Sequence, residues 1–215
     1  MGYPTEEDDH FRTCIHEAGH AVVYALTGCY VDCVQVRVLG TTSFVHQTKR
    51  GMQSEVSGVV EPFCEVDLSL IYPFDKENAC YTPQKERLKL FLQAFGKRSY
   101  AEKYRQKMRG YVAGLFAGQM AEQIHMGFTE VGLDVTDGTK DMQQADAFCR
   151  LLPYRNEFEH IERATEKLLR IPTNWACVER IAIELKSHLR LEGEDLKNLL
   201  PAPIKNWPPS PRARV

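Results

Sequence analysis

Two histidines four residues apart, His16 and His20, enclose a glutamate, Glu17, in the motif His-Glu-Ala-Gly-His. Residues at this spacing lie on one face of a helix, one turn apart, so the two imidazole rings can converge on a single metal ion. This pattern is typical of zinc metallopeptidases, in which the histidines bind the metal and the glutamate activates a water molecule. The sequence therefore predicts a Zn²⁺ site at His16 and His20, with Glu17 as the general base.

The segment around this motif has the pattern of an amphipathic helix. Its apolar side chains fall on one side at the helical period: Phe11, Cys14, Ile15, Ala18, Val22, Ala25 and Leu26. The two histidines lie on roughly the opposite side, so a second element must cover them. Asp8 and Asp9 are candidate N-caps, and Gly28 fits the position just beyond the C-terminal end. Gly19 would let the covering element approach closely, since it has no side chain.

The composition is that of a globular protein. The chain has 215 residues, 43% hydrophobic and 26% charged, and we expect one domain over residues 1–200 followed by a mobile, proline-rich tail over 201–215. The net charge of −2 and the pI of about 6.4 give no sign of a nucleic-acid partner. We also expect no signal peptide and no membrane segment, because the required basic and apolar stretches are missing from the sequence.

Seven cysteines occur at scattered positions: Cys14, Cys29, Cys33, Cys64, Cys80, Cys149 and Cys177. An odd number without paired spacing favours free thiols. We therefore expect the cytoplasm or another reducing, soluble compartment. Cys29 and Cys33 have no matching second pair, so we interpret them as the passage from a helix into a strand rather than as half of a second zinc site.

The region after the motif helix has a short β pattern. Valines alternate with polar residues over 34–38, which is typical of a half-buried strand, and residues 43–48 beyond a turn at Gly40 are the expected antiparallel partner. Such a hairpin is either an edge that pairs with an extended peptide or an ordinary cover for the core. Residues 49–98 contain three prolines, and we interpret them as an insertion or variable region in which 84–95 is helical.

A long helix is expected over residues 99–126. One of its faces carries only small side chains: Gly110, Gly114, Ala117, Gly118 and Ala121. This face allows a close approach of another helix, and Gly19 is the expected contact. Glu122 borders the small face and has no basic residue one turn away, so we expect it to support the metal site. Four further helical segments are expected: one capped by Thr139, 154–170, 173–190 and a short one from Gly193.

A catalytic zinc usually has three protein ligands. A metzincin would carry glycine at position 23 and histidine at 26, but the chain has valine and leucine there, so that class is excluded. A distant residue must therefore complete the site. The leading candidates on predicted helices are Glu122 and Asp141. Asp137, Asp146 and His125 are weaker alternatives.

Four segments of the chain resemble the FtsH family of membrane-bound, ATP-dependent zinc proteases. Residues 16–22 resemble the zinc helix of that family, and residues 118–124 resemble its G-R-x-A-E-E-[IL] segment. Residues 136–145 resemble its T-G-A-S-N-D-[LI]-x-x-A segment, and residues 191–196 resemble its closing E-T-L-x-G-E-E-[IL] segment. All four occur in the order of the family, so the resemblance spans most of the chain.

The resemblance implies roles for two residues outside the motif helix. The aspartate of the third segment is the remaining zinc ligand in that family, which corresponds to Asp141. The first glutamate of the second segment lies near the metal, which corresponds to Glu122. The chain departs from the family at Gln119 and Gln123, where the family has arginine and glutamate, and at Asp137, which stands in place of a glycine.

No Walker A sequence occurs in the chain, so the resemblance covers the peptidase part of the family alone. The chain is therefore expected to be an α+β, predominantly helical zinc-peptidase domain with a small hairpin or sheet after the motif helix. The expected activity is the hydrolysis of peptide bonds in an unfolded polypeptide, either unaided or fed by a separate ATPase.

Two alternatives remain open at this stage. One is a zinc-stabilised peptide-binding or regulatory module that does not catalyse a reaction. The other is a zinc hydrolase in which Glu122, rather than Asp141, is the third ligand.

Overall fold

The structure, a computed structural model, describes residues 5–47, 53–72, 74–75, 80–94, 96–133 and 139–211. Over these residues the fold is α+β and predominantly helical, as the sequence predicts. The helices are α1 (Glu6–Leu26), α2 (Lys85–Ala94), α3 (Arg98–His125), α4 (Lys140–Cys149), α5 (Glu157–Leu169), α6 (Pro172–His188) and α7 (Gly193–Leu199). The strands are β1 (Tyr30–Val36), β2 (Phe44–Gln47), β3 (Gln53–Val56), β4 (Gly58–Phe63), β5 (Phe74–Asp75), β6 (Cys80–Tyr81) and β7 (Arg190–Glu192).

Helix α1 begins at Glu6, earlier than the sequence predicts. Its N-cap is Thr5, whose hydroxyl accepts from the backbone N–H of Asp8, while the Asp8 carboxylate accepts from the Thr5 N–H. This reciprocal pair of hydrogen bonds is a capping box. It places Asp8 and Asp9 inside the first turn, where acidic groups interact favourably with the helix dipole. The prediction of an N-cap at Asp8 or Asp9 is therefore wrong. The expected glycine beyond the C-terminal end is confirmed, since Gly28 has a φ of +84°.

The small face of α3 packs directly on α1. A Cβ atom built on Gly19 would lie 2.6 Å from the Cβ of Ala121 and 2.7 Å from the carbonyl oxygen of Ala117. Both distances are shorter than van der Waals contact, so only glycine fits position 19 at this helix separation. The expected contact between Gly19 and the small face is confirmed. Helix α1 also packs against α6 and β1, which makes it the central helix of the core.

The main sheet is antiparallel and has the order β4-β1-β7. Val34 in β1 lies opposite Val60 in β4 and Leu191 in β7. Strand β1 is thus the central strand, and β4 and β7 form the edges. The predicted partner of β1 is wrong, because β2 pairs with β3 in a separate hairpin. Strand β4 lies within residues 49–98, so this part of the region interpreted as an insertion belongs to the main sheet.

The C-terminal tail contacts the rest of the protein. Residues 201–211 run along the body of the protein rather than projecting from it. The N–H of Ile204 donates to the carbonyl oxygen of Leu26 at 2.8 Å, and the Nε2 of His160 lies 2.8 Å from the carbonyl oxygen of Pro209. The mobility expected for residues 201–215 stays a prediction.

A disulfide bond joins Cys29 to Cys64 and ties the start of β1 to the end of β4. The expectation that all the cysteines are free thiols is therefore wrong, and cysteine usage no longer supports a reducing compartment. Burial raises the pKa of Cys14 and of Cys33 to about 12, so these thiols stay protonated at neutral pH. No helix in the described part of the chain combines the length and apolar character needed to cross a membrane.

Candidate metal centre

His16, His20 and Asp141 come together from α1 and α4. One potential ligand atom from each residue lies within 4.8 Å of the other two. The Nε2 atoms of the two histidines are 2.9 Å apart, and the Nε2 of His20 is 3.3 Å from an Asp141 carboxylate oxygen. Among the residues that the structure describes, this is the one group of three such side chains placed to share an ion.

The first turn of α4 delivers Asp141 to the histidines. Thr139 caps this helix, as the sequence predicts, because its hydroxyl accepts from the backbone N–H of Met142 at 3.4 Å. The buried side chains of Met142, Ala145 and Phe148 hold α4 against the core. The carboxylate of Asp141 therefore sits in the first turn of a packed helix and does not depend on a loop for its position.

Each histidine is oriented by its other ring nitrogen. The Nδ1 of His16 lies 2.5 Å from a carboxylate oxygen of Glu122, and the Nδ1 of His20 lies 2.7 Å from the carbonyl oxygen of Gly114. Both partners are acceptors only, so both Nδ1 atoms carry the proton. This tautomer turns the Nε2 lone pairs of His16 and His20 toward each other and toward the Asp141 carboxylate.

Three acceptor atoms that face one another need a positive charge between them. Burial alone would lower the pKa of His20, but the hydrogen bond and charge of Asp141 outweigh it and raise that pKa to about 9. Burial likewise opposes ionisation of Asp141, yet the His20 imidazolium keeps the pKa of Asp141 below its ordinary value. A proton or a metal ion between these atoms would supply that charge, and two imidazoles with one carboxylate are ligands that zinc prefers.

Gly118 supplies the space in which the two imidazoles meet. A Cβ atom built at this position would lie 2.5 Å from the Nε2 of His16 and would also overlap the Nε2 of His20. Any side chain here would occupy the region that the ligand atoms face. The small face predicted for α3 thus has a second use beyond close packing, because it leaves the ligand atoms unobstructed.

Glu17 is 6% exposed and packs against the start of β4, where its carboxylate contacts Gly58. Burial raises the pKa of Glu17 above its ordinary value; the charges of His16 and His20 oppose the rise, while Asp141 reinforces it. A carboxylate with a raised pKa is a stronger base than an exposed one. Glu17 is thus suited to accept and return a proton beside the ligand cluster.

Glu122 lies behind His16, on the side away from the ligand atoms. Its second carboxylate oxygen is 3.3 Å from the Nε of Arg12, and Arg12 also pairs with Asp9 at 2.6 Å. A chain of charged contacts therefore runs from Arg12 through Glu122 to His16. Such a partner fixes the orientation of a ligand imidazole.

Sequence reasoning missed four contributors to the site: Arg12, Gly58, the carbonyl group of Gly114 and the spacing role of Gly118. Arg12 precedes His16 by one helical turn, so its place on the same face was available from the sequence. The position of Gly58 was not available, because it depends on the pairing of β4 with β1.

Two of the three weaker candidates for the third ligand, Asp146 and His125, are not part of the cluster. Asp146 pairs with Arg150 at 2.6 Å, and the ring of His125 packs edge-on against Phe11 at 5.5 Å between centroids. Asp137 lies outside the described residues.

No protein-family model matches the chain, and no curated protein sequence matches it. The likeness to the FtsH family therefore rests on the sequence motifs quoted above and stays a prediction. Two of those motifs carry all three residues of the cluster, and a third carries Glu122 and Gly118.

Proposed function

We propose that the protein is a zinc-dependent endopeptidase whose catalytic unit resembles the peptidase part of the FtsH family. His16, His20 and Asp141 would hold the zinc ion. The observation that carries this proposal is the convergence of three acceptor atoms beside a buried glutamate of the same motif. Three protein ligands with a neighbouring base are typical of catalytic zinc sites, whereas structural sites are closed by four ligands and need no base.

The chemistry divides between the metal and the protein. When bound, zinc supplies a Lewis acid that polarises a peptide carbonyl and makes a water molecule acidic near neutral pH. The Glu17 carboxylate accepts the proton of that water and later returns it to the leaving amine. Glu122 and the carbonyl group of Gly114 hold the two imidazoles in the required tautomer through their Nδ1 atoms.

The substrate class follows from the surroundings of Glu17. Strand β4 is an edge of the main sheet and begins at Gly58, against the Glu17 carboxylate. An extended polypeptide can add to a free strand edge through main-chain hydrogen bonds, which selects unfolded segments over folded ones. A polar cleft of about 480 Å³, lined in part by Arg12, Ser57 and Glu122, adjoins the same region and offers room for substrate side chains.

The test is the substitution Glu17→Gln, with degradation of casein and bound zinc as the two measurements. The amide keeps the shape of the side chain but cannot accept a proton, so we expect bound zinc to remain and activity to fall roughly 10²- to 10⁴-fold. Glu7→Gln, an exposed change in the first turn of the same helix, is the matched control and should be fully active. Full activity of Glu17→Gln would remove this residue from the mechanism. A zinc-loaded wild-type protein that cleaves no polypeptide would instead indicate the non-catalytic module.

A second experiment separates the two candidates for the third ligand. Asp141→Asn should lose most of the zinc affinity, whereas Glu122→Gln should lose only about 10- to 100-fold, because Glu122 acts through His16. Asp146→Asn, on the same helix as Asp141, is the control and should bind zinc normally. Loss of zinc in the Glu122 variant alone would identify Glu122 as the ligand.

A further inference from the structure

A second cleft, of about 660 Å³, lies between α2, the start of α3 and the end of α4, and we call it the basic cleft. It shares no lining residue with the candidate metal centre. Its floor is apolar and comes from Leu88 and Leu92 of α2 and from Leu151 and Leu152 beyond the end of α4. Three of these four leucines are buried, so the floor is part of the folded core rather than a loose surface.

The rim of the basic cleft carries six cations: Lys85, Lys89, Lys97, Arg98, Arg105 and Arg150. None of the described residues that line the cleft is acidic, although the whole chain has more acidic residues than basic ones, 29 against 27. The helical spacing explains the arrangement, because Lys85 and Lys89 flank the floor leucines on one face of α2. An excess of positive charge is therefore concentrated at one place on a protein that is acidic overall.

Only half of these cations are neutralised by the protein itself. Three have acidic partners on their own helices or at the helix end: Lys89 with Glu86 at 3.5 Å, Arg105 with Glu102 at 3.6 Å, and Arg150 with Asp146 at 2.6 Å. Lys85, Lys97 and Arg98 form no ion pair with any residue in the described ranges. Uncompensated cations around an apolar floor attract an anion, and the low polarity of the floor strengthens that attraction.

We propose that the basic cleft binds an organic polyanion, with its apolar body on the leucine floor and its phosphate or carboxylate groups against the rim. The volume lies within the range of small-molecule sites, and arginine and lysine together suit phosphate and carboxylate groups. An extended nucleic acid is a poorer fit, because the positive charge is confined to one cleft of a chain with a net charge of −2. This inference does not depend on the proposed peptidase activity.

The test is a fluorescence titration of the full chain with 1,3,6,8-pyrenetetrasulfonate, an apolar body with four fixed negative charges and no affinity for zinc. We expect one site per chain, with affinity that falls as salt is added. The double variant Lys97→Gln with Arg98→Gln should weaken binding about tenfold, since two exposed charge contacts are lost. Both side chains are exposed, and the side chain of Lys97, the N-cap residue of α3, makes no capping hydrogen bond, so the fold should be retained, which circular dichroism will check.

The matched control is the double variant Lys103→Gln with Lys167→Gln, which removes two exposed cations that do not line the cleft. It should bind the probe as tightly as the wild type. Equal affinity in both double variants, or no stoichiometric binding at all, would overturn the proposal. So would binding of an acidic, leucine-containing peptide that depends on Lys97 and Arg98 while the pyrene probe fails, because the cleft would then be a docking surface for a polypeptide.

Discussion

Residues 98–118 of α3 fall into two halves that differ sharply although they belong to one continuous helix. Residues 98–107 carry long charged side chains, most of them exposed, and contribute to the rim of the basic cleft. Residues 108–118 are buried throughout and carry three glycines at four-residue intervals. The first half interacts with its surroundings through charged side-chain ends, whereas the second half packs against other residues through its backbone.

The second half shows how glycines, which have no side chain, help to position a site. A Cβ atom built on Gly110 would lie 3.0 Å from the Cβ of Thr27, and one built on Gly114 would overlap the ring of Tyr24. The same construction at Gly118 meets the two imidazoles. Gly110 and Gly114 thus each accommodate one side chain from α1 or its C-terminal cap, and Gly118 accommodates two. The close approach also lets a backbone carbonyl group of α3 reach a histidine ring directly.

The largest effect is expected at the junction of the two halves, where a charge is fully buried. Arg109 is 0% exposed and forms a two-point ion pair with Glu157, with both N–O distances at 2.8 Å. Arg109→Leu should lower the free energy of unfolding by about 3–5 kcal/mol, because it leaves a carboxylate buried without its partner. Urea denaturation measures this. The double variant with Glu157→Leu should recover most of the loss, and an unchanged stability in the single variant would contradict the assigned role.

The next effect concerns the candidate metal centre. Gly118→Ala should weaken zinc binding by about 10- to 100-fold, which corresponds to the 1–3 kcal/mol that overpacking costs, since both imidazoles are held in place through Nδ1. Competition with a chelator of known affinity measures the change. Gly110→Ala introduces the same methyl group two turns earlier, against Thr27, and should leave zinc affinity unaltered. If both variants bind zinc alike, the spacing role of Gly118 is wrong.

A smaller effect is expected at the contact between α1 and α3. Gly19→Ala should lower the free energy of unfolding by about 1–2 kcal/mol, because overpacking against Ala117 and Ala121 outweighs the gain of up to about 1 kcal/mol in helix propensity. Thermal or urea unfolding measures it. A Cβ atom built on Gly132 meets nothing within 4 Å, so Gly132→Ala is the control for a neutral change. A stabilised Gly19 variant would mean that the two helices can separate at little cost.

The smallest effect is expected in the exposed half of α3. Lys107 pairs with Glu65 on the surface, and Lys107→Gln should change the free energy of unfolding by less than about 1 kcal/mol. The same urea experiment applies. A loss as large as that of Arg109→Leu would show that the contrast between the exposed and buried halves does not hold for charge interactions.

Local patterns were sufficient to predict the parts of the fold that depend on neighbours in sequence. The helical period predicts α1, α2 and α3 to within a few residues, and Thr139 predicts the start of α4. For the candidate site, the four-residue spacing predicts that His16 and His20 meet, and the small face of α3 singles out Glu122. These features depend on which residues share one face of one helix.

Features that depend on distant parts of the chain could not be predicted in the same way. Strand β1 pairs with β4 and β7, and no local pattern specifies partners so far away in sequence. The pairing of Cys29 with Cys64 follows from that sheet, and spacing alone does not give disulfide connectivity. The proline content of the tail indicated irregular backbone, but it carried no information about the surface on which residues 201–211 lie.

The placement of the three candidate ligands on α1 and α4 has a consequence for the resistance of the chain to proteolysis. An ion held by His16, His20 and Asp141 would connect α1 to α4. It would thereby close a long loop of the chain that contains the first strands, α2 and α3. Closing so long a loop restricts the unfolded chain considerably, so chelation should make the protein more susceptible to attack by an added protease. The same ion would then take part in catalysis and also cross-link two helices.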